Sequence, residues 1–135
     1  MATSKTLLIG SNPSNKSPDN SPFHVSTRSR SIVDEWFKEI DTQDRVFLNI
    51  SNEKKEGNKA LNMKEIQSRL PDLSGQLCKF EGYKIVTLGK TASKALTLLR
   101  VDFYELPHPS GLNRLLNDKN YIAEKIKGLQ SYLSP

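Results

Sequence analysis

The sequence predicts an α/β fold in three layers, with a central four-stranded parallel sheet flanked by helices. Three observations predict it. Strand-like and helix-like segments alternate four times along the chain, the order that builds a parallel sheet with helices on both faces. The first strand-like run, Thr6-Leu7-Leu8-Ile9, is continuously apolar after its Thr, as burial on both faces requires. The length of 135 residues makes one domain, residues 1–135, and four strands with their helices use nearly all of it. Right-handed crossovers are expected throughout.

In order, residues 6–9 form the first buried strand, bounded by Gly10. Residues 11–27 are rich in Ser, Asn and Pro, with only Phe23 and Val25 strongly apolar, so they read as a long loop of the kind that is functional or disordered. A helix follows, because Ile32, Val33, Trp36, Phe37 and Ile40 make one wide apolar face with Ser and Thr caps just upstream. Residues 45–50 are the second strand. The polar loop 51–61 carries Lys54, Lys55 and Lys59 around Gly57-Asn58. Asn62 caps a helix over 63–70, which Pro71 is expected to end or offset before a further helical piece closing near Phe80. Residues 83–88 are the third strand. Gly89 turns the chain into a helix over 91–99, rich in Ala and Leu. Residues 101–106 are the fourth strand, the turn at His108 follows, and Ile122, Ile126, Leu129 and Leu133 mark a last helix over 119–133.

Composition limits the function classes. Charged residues make up 26% and apolar ones 36%, the balance of a soluble globular protein. The 20 Lys and Arg against 15 Asp and Glu leave a net charge of +5, which suits a polyanionic partner. The lone Cys78 excludes an internal disulfide and any all-cysteine metal or iron–sulfur site within one chain. No apolar run approaches membrane-spanning length and no signal peptide precedes the first strand, so a cytoplasmic protein with no membrane partner is expected. A monomer is the default.

In a parallel sheet of this kind, ligands bind beyond the carboxyl ends of the strands. Two tight, Pro-bearing turns fall there: Gly10-Ser11-Asn12-Pro13-Ser14 after the first strand, and His108-Pro109-Ser110-Gly111-Leu112-Asn113-Arg114 after the fourth. Asn12 ends the first strand and Asn49 the second, and an amide offers one acceptor and two donors to the edge of a base. His108 can donate to an oxygen that gains negative charge, and Phe23 offers a flat stacking face. Each also has a plain structural reading: a turn former for Asn12, a strand-end cap for Asn49, a structural imidazole for His108, satellite core for Phe23 and Leu112. Their shared placement at strand ends and in the first loop favours function. Gly89-Lys90-Thr91 is like the end of a phosphate-binding loop, but no Gly lies at the spacing such a loop needs, so nucleotide hydrolysis is not expected.

Together these motifs resemble those of the uracil-DNA glycosylase superfamily. Gly10-Ser11-Asn12-Pro13-Ser14 is similar to its first motif, closest to the mismatch-specific branch, which has Asn at the third position. Ser21-Pro22-Phe23-His24 resembles the segment bearing the base-stacking aromatic, and Val46-Phe47-Leu48-Asn49 the strand ending in the base-reading Asn. Residues 49–58 and Thr87-Leu88-Gly89-Lys90-Thr91-Ala92 resemble loops of the iron–sulfur branch, although that branch's four cysteines are absent. His108-Pro109-Ser110-Gly111-Leu112 is similar to the second motif, joining the His of one branch to the Ser-Gly-Leu of the mismatch branch.

The resemblance implies a glycosylase-like fold and a monofunctional DNA glycosylase that hydrolyses the N-glycosidic bond of uracil or a related base, with no cofactor and no metal. It implies catalytic roles for Asn12, which would orient water, and His108, which would stabilise the departing base. It implies base binding by Asn49, Phe23, Ser11 and Ser14, and DNA binding by Ser110, Gly111, Leu112 (as a wedge), Arg114, Lys54, Lys55 and Lys90. The partner would be DNA, through a flipped nucleotide and its phosphate backbone. Two departures stand out. Ser14 stands where the classical branch has the bulky Tyr that excludes 5-methylated bases, and the chain is short and lacks the four cysteines of the iron–sulfur branch. Asn12 in place of the stronger Asp opens an alternative reading, a DNA-binding protein of the same fold with little catalysis.

Overall fold

A computed structural model describes residues 5–12, 20, 22–23, 27–38, 40, 45–51, 61–109 and 118–133. The chain runs β1 (Thr6–Gly10), α1 (Arg28–Trp36), β2 (Arg45–Asn49), α2 (Met63–Leu77), β3 (Lys84–Leu88), α3 (Lys90–Leu98), β4 (Tyr104–Leu106) and α4 (Lys119–Leu133), with a 3-10 turn at Cys78–Phe80. The four strands form one sheet in the order β2-β1-β3-β4, and every neighbouring pair is parallel. The expected α/β class and the parallel, four-stranded sheet are therefore observed.

Strand alternation builds two cores. Leu8, Val86, Leu88 and Leu106 face one way and pack with Val33, Trp36 and Phe37 of the α1 region and Leu129 and Leu133 of α4. Leu7 and Ile9 face the other way, against Ile66 and Leu73 of α2 and Ala92, Ala95 and Leu96 of α3. β1 is buried along its whole length because it is covered on both faces and paired on both edges.

Local chemistry fixes the helix ends. Thr27 holds extended backbone and its hydroxyl accepts from the Arg30 amide at 3.3 Å, starting α1. Asn62 and Glu65 make a reciprocal capping box on α2, at 2.9 and 3.0 Å. The Asp118 carboxylate accepts from the Tyr121 amide at 3.0 Å at the start of α4. Two tyrosines tie α4 to the sheet edge: Tyr104 donates to the Lys125 carbonyl and Tyr132 to the Ile85 carbonyl.

Three boundaries differ from expectation by more than one residue. α2 runs unbroken through Pro71, because Ile66, Leu70, Leu73 and Leu77 keep one apolar stripe against the α3 side while Pro71 itself is exposed. Proline at 71 has no N–H to donate to the carbonyl of Gln67, one turn earlier. The fourth strand is shorter than residues 101–106, since the Val101 amide donates to the Leu96 carbonyl at 3.1 Å and the chain is still leaving α3 there. α1 stops at Trp36, yet Phe37 and Ile40 stay buried through a turn in which the Ile40 amide donates to the Phe37 carbonyl. Among the described residues no helix is long and apolar enough to cross a membrane.

Candidate active site

The order β2-β1-β3-β4 puts a topological switch point between β1 and β3, where chain connections leave to opposite sides, the place at which sheets of this kind bind their ligands beyond the carboxyl ends. Gly10 ends β1 at that point, and Gly89 follows β3. Register places Asn49 directly beside Gly10 and Leu106 beside Leu88. Beyond β1 and β2 the backbones stay tied, with the Ile50 amide donating to the Gly10 carbonyl and the Ser51 amide to the Ser11 carbonyl, each at 3.0 Å.

Gly10 is needed for space. A Cβ built on it would lie 2.6 Å from Cε2 of Phe23 and 2.7 Å from Oδ1 of Asn49. The ring of Phe23 and the amide of Asn49 therefore meet over the same bare stretch of backbone. Asn49 is 6% exposed and its Oδ1 has no hydrogen-bond partner among the described residues. A buried acceptor without a donor costs about 1–3 kcal/mol, a cost that an incoming N–H would remove. Ser11 is also buried, and its Oγ likewise lacks a partner among the described residues.

Phe23 is held in an unusual backbone state. Its φ is +50°, in the left-handed region that bulky residues avoid, at a cost of order 1–3 kcal/mol. Its carbonyl accepts from Nη1 of Arg30 at 3.1 Å, and its ring packs on Phe47 with centroids 5.4 Å apart. The Arg30 guanidinium lies over the Phe47 ring at 4.4 Å, and its Nε meets the Asp34 carboxylate at 3.1 Å, where Arg45 also binds.

His108 stands two residues past β4, half-buried against the turn at Gly89. A Cβ on Gly89 would fall 3.0 Å from His108 Cβ, and Gly89 has φ +100°, so glycine serves both the conformation and the contact. That turn is fastened by the Gly89 amide donating to the Leu106 carbonyl at 2.8 Å and by Ser93 Oγ donating to the Gly89 carbonyl at 3.0 Å. Burial lowers the imidazole pKa, which keeps His108 neutral at neutral pH.

Asn12 lies two residues past β1, half-buried. The strands carrying Asn12 and His108 are two spacings apart, about 10 Å. Lys90 is exposed at the first position of α3. Ser14, Lys54, Lys55, Ser110, Gly111, Leu112 and Arg114 lie outside the described residues. Phe23 and Asn49 are thus brought into contact range of one point, and Asn12 and His108 stand at the same sheet edge. Arg30, which holds Phe23, was missed by sequence reasoning, since no period or motif links it to a carbonyl seven residues away.

Residues 1–130 match the family model described as the Uracil DNA glycosylase superfamily. No curated protein matches the chain.

Proposed function

Since the chain belongs to the uracil-DNA glycosylase superfamily, we propose that it is a monofunctional DNA glycosylase that hydrolyses the N-glycosidic bond of uracil or a related base, leaving an abasic site. The observation that carries this reading is the convergence over Gly10 of the Phe23 ring and the Asn49 oxygen, which has no hydrogen-bond partner among the described residues.

In the proposed reaction the target nucleotide leaves the stack, because its C1′ and base edge are hidden in a duplex. Phe23 stacks on the base and Asn49 Oδ1 accepts an N–H from its edge. The bond between C1′ and the base nitrogen breaks, and its electron pair leaves with the base. Neutral His108 donates its N–H toward the oxygen where that charge gathers, which is stabilisation aimed at the transition state. Water held by Asn12 then bonds to C1′ and loses a proton to solvent. An amide is a poor proton acceptor, so Asn12 positions the water without deprotonating it, and turnover is slower than an Asp would allow. Neither metal nor cofactor takes part in this scheme. Ser110 and the Lys and Arg side chains would grip phosphate, and Leu112 would fill the gap left in the duplex.

The test is strand cleavage by alkali after incubation with oligonucleotides carrying uracil, thymine, hydroxymethyluracil or a modified cytosine. Activity on at least one base, lowered at least about 100-fold by His108→Ala, supports the enzyme. Salt-sensitive binding without cleavage of any base supports the second reading, a DNA-binding protein of this fold, which Asn12 in place of an acid favours.

A further inference from the structure

We infer that Arg30 is a positioning residue for base stacking: it holds Phe23 in place over Gly10 and thereby sets the affinity of the site for its base. The inference rests on the reading of Phe23 as the stacking aromatic and assigns a function to a helix residue outside the motifs.

Five contacts carry it. Nη1 of Arg30 donates to the Phe23 carbonyl at 3.1 Å, so the guanidinium grips the backbone of the residue whose φ is +50°. The same guanidinium covers the Phe47 ring at 4.4 Å, and Phe47 is the ring on which Phe23 packs, at 5.4 Å. Arg30 therefore binds Phe23 once through its carbonyl and again through its neighbour. Nε is held by Asp34 at 3.1 Å, one turn along α1, and Asp34 also binds Arg45, the first residue of β2. The fork is thus aimed from both ends. Lysine has no planar fork to do this, whereas arginine can stack on a ring and donate in its own plane at once.

The alternative for an arginine at this position is an ordinary surface ion pair within one helix. That reading accounts for Asp34 but not for the bond to the Phe23 carbonyl or the contact with Phe47. A strained aromatic with its ring against the Asn49 amide is where loss of a restraint would be felt first. Binding energy of this kind acts equally on bound substrate and transition state, so its loss shows in KM and not in kcat.

The test compares the wild type with Arg30→Met, Arg30→Lys, Phe23→Ala and the Phe23→Ala/Arg30→Met pair, by steady-state kinetics on the base the protein excises best. Arg30→Met is expected to raise KM about tenfold, the size of one charge-assisted hydrogen bond, with kcat within about threefold. Arg30→Lys should recover part of that loss. In the Phe23→Ala background Arg30→Met should change KM by less than about twofold, because the residue it acts through is gone. An unchanged KM in Arg30→Met, or a full additional loss in the double variant, overturns the inference.

A readout without substrate separates this from the stacking assignment. The nuclear Overhauser contact between the Phe23 and Phe47 rings should vanish in Arg30→Met while the fluorescence of Trp36 stays native. A retained contact overturns the role of Arg30. Should Phe23→Ala prove kinetically silent while that contact is lost in Arg30→Met, the stacking assignment fails and the grip on Phe23 stands.

Discussion

Gly10 shows how little a single side chain has to add to close the site. Its missing Cβ is the space into which the Phe23 ring and the Asn49 amide lean. Gly10→Ala is expected to push both aside, costing about 1–3 kcal/mol of stability and more than tenfold in substrate affinity. A lower thermal midpoint together with a raised KM checks it; a normal KM would show that the ring and amide do not act together. At this scale the sequence was informative about residues that stand at strand ends, because Gly10, Asn49 and His108 are punctuation as well as chemistry. It was silent on Arg30 and on the positive φ of Phe23. Both depend on a side chain reaching back across the first loop to a backbone carbonyl, and no local pattern encodes that reach.

At the scale of elements, burial decided the type of each segment and backbone chemistry its limits. β1 and α4 were legible because continuous apolarity and a helical period are strong signals. α2 was not legible as one helix, since Pro71 argues locally for a break and only the stripe from Ile66 to Leu77 argues against it. Proline persists there at an exposed position, where its lost hydrogen bond is least costly. Pro71→Ala should therefore stabilise the fold by about 1–3 kcal/mol, through the restored amide and higher propensity. A higher urea midpoint with an unchanged slope is the expected result. The shortened β4 has a similar origin, because the bond from Val101 to Leu96 competes with the ladder in a way that apolarity alone does not reveal.

For the molecule as a whole, His108 links the site to stability. Burial holds its pKa below the usual value, whereas the unfolded chain protonates near about 6.5. Between those two values the unfolded state binds more protons, so stability rises with pH there. The contribution is complete above the unfolded pKa and is lost as pH falls through it toward the lowered folded value. Denaturant titrations between pH 7.5 and 5 should show this loss, and His108→Asn should flatten it. In the proposed reaction the same protonation charges the group that meets the leaving base. The pH profile of kcat should thus report the folded imidazole, and one without a limb below pH 6.5 would argue that His108 takes no part in turnover.

The strand order has a consequence during synthesis. β1 is made before the other three strands of the sheet, yet it sits inside the sheet, and one of its two partners is not complete until residue 88. A nascent chain ending before that point carries Leu7, Leu8 and Ile9 with an open hydrogen-bonding edge. Such an edge invites pairing with another chain. Ribosome-stalled fragments ending near residue 80 should need chaperone cover that fragments extending past β3 do not.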